Sequence, residues 1–218
     1  MRRIGRCAAA AALAGLAAGQ AGAHPHVFLD GGAHFIFDDQ GRLAAIRVIW
    51  QYDAFASLFI LESLEVDKDG DGVLTDDETA KVVTDQLTWE GGFEGDSYLW
   101  HGGAKMPLTG PSNGTAAMGD GRLTVTFERA LETPIAPGEA EVLVKLYDPT
   151  YYFAYFATHE PRLEGAVPTA CRARIEPFEP DSALAALQGS LALLSTEETP
   201  EQEDVGALFA DRIVMLCG

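Results

Sequence analysis

The chain has 218 residues, 47% hydrophobic and 22% charged, a composition that excludes a disordered or collagen-like polypeptide. After residue 23 no apolar run reaches the roughly 18 residues of a spanning helix, so the body is not a polytopic membrane protein. Fifteen Lys and Arg against 33 Asp and Glu give a net charge of −18, which repels nucleic acid and anionic lipid and favours cations.

Arg2, Arg3 and Arg6 open the chain, and residues 7–19 are almost entirely Ala, Leu and Gly. Ala21 and Ala23 then offer small residues at −3 and −1 of a cleavage site, so residues 1–23 read as a signal peptide and 24–218 as one exported domain. Cleavage removes Cys7 and leaves Cys171 and Cys217. An even pair in an exported chain reads as a disulfide; a pair of thiolate metal ligands is the alternative.

Residues 26–37 read as a strand or two, interrupted at Gly31-Gly32, and 43–50 as a strand after the Asp38–Gly41 turn. Asp53 is placed to cap a helix over 54–65, and a second helix runs to about Trp89. Strands are expected at 97–100 and 122–128, separated by a Gly/Pro-rich loop from Thr109 to Gly121. Residues 139–147, 151–156 and 171–178 give further strands. Helices are expected at Ser182–Leu194 and Val205–Leu216, joined by an acidic linker, Ser195–Asp204. The fold class is therefore α+β: a mainly antiparallel, β-sandwich-like domain with an EF-hand-like helical insertion at about 54–89 and C-terminal helices.

Residues 67–78, DKDGDGVLTDDE, match the twelve-residue EF-hand loop. Asp67, Asp69 and Asp71 supply side-chain oxygens, and Gly72 permits the sharp turn at position six. Val73 offers a carbonyl, Thr75 occupies position nine, and Glu78 closes the shell. Hard oxygen donors at this spacing suit calcium, and one such loop in an exported protein points to a structural clip with a Kd of about 10⁻⁴–10⁻³ M. The competing reading is a solvated acidic turn.

Cleavage after Ala23 exposes His24-Pro25-His26. An N-terminal His chelates through its α-amine and its ring Nδ1, and a second imidazole completes a three-nitrogen set that suits copper and accepts nickel, cobalt or zinc. Pro25 has no N–H, which excludes the four-nitrogen chelate that needs ionised amides at residues two and three. Asp148 is the further candidate ligand, with Asp53, His101 and His159 behind it. The competing reading is a solvated terminus. Tyr147, Tyr151, Tyr152 and Tyr155 read as core residues or as the rim of a cleft. No phosphate loop, nucleophile elbow or HExxH is present, so no catalytic residue is assigned.

The His24–Phe28 start, Trp50-Gln51-Tyr52-Asp53, the 67–78 loop, the segment Tyr147–Tyr152 and the two cysteines together resemble a family of uncharacterised bacterial periplasmic proteins. That family is often labelled the periplasmic component of an ABC-type transport system. The resemblance spans the chain after residue 23. It implies the periplasm and a role beside inner-membrane permeases of the nickel/cobalt type. The expectation is a non-enzymatic metal-binding accessory to transport. The alternatives are a copper-dependent oxidative enzyme using the N-terminal His, and a calcium-stabilised adaptor of a permease.

Overall fold

The computed structural model describes residues 24–195 and 198–218. The expected signal peptide, and Thr196 and Glu197 of the expected linker, lie outside the described residues. The fold is mixed α/β with two sheets rich in antiparallel pairs. The first sheet is built from β1 (Val27–Phe37), β2 (Leu43–Tyr52), β5 (Ser112–Gly119), β6 (Arg122–Ile135) and β8 (Phe153–His159), in the order β5-β6-β2-β1-β8. The short β9 (Leu163–Gly165) also pairs with β1, and both β8 and β9 run parallel to it. The second sheet holds β3 (Ser97–His101), β4 (Ala104–Met106), β7 (Val142–Leu146), β10 (Cys171–Glu176) and β11 (Arg212–Cys217), in the order β10-β11-β7-β3-β4. Phe35, Ile46 and Phe127 of the first sheet share one buried apolar cluster with Leu99, Val144 and Ile213 of the second.

β6 alternates buried and half-buried residues along Arg122–Leu131, the period-two pattern of a strand with one face on the core. β1 is one strand and is not interrupted at Gly31-Gly32. The two glycines serve close approach: a Cβ at Gly32 would lie 2.5 Å from that of His159, and one at Gly31 2.7 Å from Leu146 Cδ1.

Helix α1 (Ala54–Leu64) starts where Asp53 accepts the Ala56 N–H at 2.8 Å. Ser57 ties it to the sheet, its hydroxyl accepting the Leu123 N–H at 2.8 Å. Helix α2 (Asp76–Leu87) begins with a reciprocal Thr75–Glu78 capping box. Helix α3 (Ser182–Leu191) is capped by Asp181, and its Leu191 joins a second apolar cluster with Tyr151, Val205 and Phe209.

Two expectations are corrected. Val205–Leu216 is not a helix: Val205–Leu208 is a short 3-10 turn, and β11 lies between β10 and β7. Ile213, Val214 and Met215 are consecutively buried, so the middle of this strand lacks the alternation that separates strand from helix. The stretch Thr109–Gly121 is not only loop, since β5 forms inside it. α2 packs directly on that strand: a Cβ at Gly114 would lie 2.4 Å from Leu87 Cδ1.

Candidate functional site

The two segments quoted for the family resemblance, 50–53 and 147–152, meet beside the start of β1. The Asp148 carboxylate accepts the backbone N–H groups of Thr150, Tyr152 and Phe153 and the Thr150 hydroxyl, all at 2.8–3.1 Å. This folds the turn that presents the Tyr152 carbonyl, which accepts the His26 N–H at 2.9 Å. Asp148 therefore fixes where the N-terminal segment lands.

His24 is buried, and the His24 and His26 rings meet edge to face with centroids 4.6 Å apart. Tyr152 packs against His26 at 4.8 Å and against His24 at 6.1 Å. His24 Nδ1 and His26 Nε2 are buried and make no hydrogen bond among the described residues. Burial, and then the neighbouring His24, lower the His26 pKa and favour its neutral, ligating form. The ligand atoms of His24, His26 and Asp148 do not gather within 4.8 Å of one another. Of the other candidates, Asp53 caps α1, His101 contacts the Pro137 carbonyl at 2.9 Å, and His159 sits against Gly32 towards the end of β8. Sequence reasoning missed Glu198. The Ser195 backbone N–H, and also the charge of nearby His24, hold its carboxyl below the ordinary range.

The 67–78 loop brings oxygens of Asp67, Asp69 and Asp71 within 4.8 Å of one another. Gly72, at φ +74°, makes the turn and donates its N–H to Asp67 Oδ1 at 3.2 Å, while the Val73 N–H donates to Asp71 Oδ1 at 2.8 Å. Glu78 accepts the Asp67 N–H at 2.8 Å and the Thr75 N–H and hydroxyl at 2.9 and 2.8 Å. These donors, Thr75 first, hold its carboxyl below the ordinary range. The residues fit a hard cation. Three carboxylates converge around a turn whose backbone N–H groups already neutralise part of their charge.

Two adjoining clefts open beside the histidines. One, of about 490 Å³, is lined by Trp50, Tyr52, Asp96, Asp148, Tyr152 and Tyr155 among others. The other, of about 510 Å³, is more apolar, with Phe55, Phe59 and Ile60 of α1 facing His26 and Phe153. Tyr152 and Tyr155 thus rim a cleft, whereas Tyr147 stacks on Tyr98 at 4.2 Å and Tyr151 packs on Phe209. Asp96 is buried, and that burial, with the Asp148 charge adding to it, pushes its pKa up to about 7. Behind it the buried Arg129 donates to the carbonyls of Glu94, Ser97, Leu108 and Thr109, fixing the segment that carries Asp96.

A family model matches residues 9–217. The chain belongs to the family described as Protein of unknown function (DUF1007). Neither the curated proteins nor the solved structures yield a match to it. Among the described residues no helix is long and apolar enough to cross a membrane, and Cys171 and Cys217 face each other across β10 and β11 as a disulfide.

Proposed function

We propose that this chain is an exported, periplasmic metal-binding protein. His24 and His26 hold a transition metal at the N-terminus left by cleavage after Ala23, and the 67–78 loop holds calcium as a clip between α1 and α2. The observation that carries the reading is the pair of buried ring nitrogens, His24 Nδ1 and His26 Nε2, which have no hydrogen-bond partner among the described residues and sit on rings 4.6 Å apart. Such orphaned groups cost about 1–3 kcal/mol each, and a bound metal removes that cost. They are also the atoms the chelate requires, because Nδ1 is the ring nitrogen of an N-terminal His that closes a ring with its α-amine.

The α-amine supplies the third nitrogen, and copper, nickel, cobalt and zinc all accept such a set. The two sheets around one core form a sandwich, with α1, the loop and α2 as an EF-hand-like insertion. The protein acts without catalysis, taking up or passing on the metal beside an inner-membrane permease of the nickel/cobalt type. Calorimetric titration of the processed protein with each of the four metals tests this. One-to-one binding that falls at least tenfold in His26→Ala supports it. Equal binding by the variant removes it.

A further inference from the structure

Asp96 is 5% exposed and lines the first cleft. One of its carboxylate oxygens accepts the Tyr155 hydroxyl at 2.9 Å, and the other accepts no hydrogen bond among the described residues. The charged group that bears on it is another carboxylate, Asp148, on the same cleft. Asp85 of α2 lines the cleft too, and among the described residues no Lys, Arg or His side chain does. Burial alone leaves Asp96 partly protonated, and a cation brought against its free oxygen from the cleft would hold the carboxylate ionised.

The size of that cation follows from the spacing. Asp85, Asp96 and Asp148 do not bring their oxygens within 4.8 Å of one another, so they do not form a cage for a bare metal ion. Apart from Gln86 and Thr150 the rest of the wall is aromatic, Trp50, Tyr52, Phe93 and Tyr155 among it. Aromatic faces attract organic cations and pack their alkyl chains. We infer that the cleft between β2, β8 and α2 binds a protonated amine, whose N–H groups meet Asp96 and whose alkyl chain lies on Trp50 and Tyr52. A volume of about 490 Å³ admits an amine of a few carbons. The same chemistry is carried by a free small amine and by a lysine side chain of a partner protein.

The processed protein is titrated with n-butylammonium, with 1-butanol as its uncharged counterpart, and with a lysine blocked at both backbone ends. Binding is followed by calorimetry and by tryptophan fluorescence. Saturable binding of butylammonium, at least tenfold tighter than butanol and at least tenfold weaker in Asp96→Asn, is the expected result. Should Asp96→Asn fail to fold, the exposed Asp85→Asn decides, with a two- to fivefold loss expected. Blocked lysine binding as well as butylammonium identifies a side chain as the ligand, whereas binding of butylammonium alone identifies a free amine. The titration is run on protein stripped of metal with a chelator, so this result is separable from the metal reading. No saturable binding, equal binding of amine and alcohol, or full affinity in the Asp variant overturns the inference.

Discussion

Replacing Asp69 by Asn isolates the cation-binding role of the 67–78 loop. Glu78 is a poorer choice, because its carboxylate also accepts the Asp67 and Thr75 N–H groups, and Glu78→Gln damages the start of α2 with or without calcium. Asp69 is exposed and accepts no hydrogen bond among the described residues, yet it is one of the three carboxylates that converge. At a calcium concentration one hundred times Kd, linkage adds about 2.7 kcal/mol to stability. For a chain of this size each kcal/mol moves Tm by about 2–4 °C, so the rise is about 5–11 °C. With Kd near 10⁻⁴ M, that requires about 10 mM calcium. Losing one of three converging carboxylates weakens the site about tenfold or more, which cuts the gain to about 1.4 kcal/mol or less. The assay is thermal unfolding with and without calcium, against sodium chloride of equal ionic strength to remove general screening. Equal calcium-induced shifts in both proteins, or no shift in either, would refute the clip.

Arg129→Met should cost about 3–5 kcal/mol by urea unfolding, because it leaves four carbonyls without their donor; a loss below about 1 kcal/mol would mean that water replaces the guanidinium. Reducing the Cys171–Cys217 bridge, which spans 46 residues, should cost about 3–4 kcal/mol, and thiol labelling of the denatured, unreduced protein should find no free cysteine. Asp96 holds its proton more tightly in the folded state, with a pKa of about 7 against about 3.9 unfolded, so its contribution lowers stability as pH rises from about 4 to about 7. Unfolding of Asp96→Asn across that range should show a flatter pH dependence than the parent chain, and identical curves would contradict the assignment.

Elements with a local signal were legible in the sequence. Asp53 and the Thr75–Glu78 pair announced α1 and α2 because a helix start needs side-chain acceptors for its free N–H groups. β2 and β6 alternate because one face meets the core. β11 was not legible, since a strand buried on both faces has no polar residue at every second position. β5 was hidden for the opposite reason. It carries Gly114 and small residues because α2 lies on it, and small residues read as loop. The parallel pairing of β1 with β8 joins segments far apart in sequence, and no local pattern encodes it. At the candidate site, the histidines and the acidic loop stood out as motifs. The landing of His26 on the Tyr152 carbonyl, the positioning role of Asp148 and the burial of Asp96 arise only when those distant segments meet.

In the proposed chelate His24 ligates through its own α-amine as well as its ring. Adding one Gly before His24 in the processed protein moves the α-amine away while leaving both imidazoles and the Tyr152 contact in the chain. Calorimetry with copper at pH 7 should then show an affinity reduced nearly as much as in His24→Ala. For the unmodified terminus, affinity should fall steeply below about pH 6 as the ligands protonate. Copper affinity unchanged by the added glycine would mean that the α-amine is not a ligand.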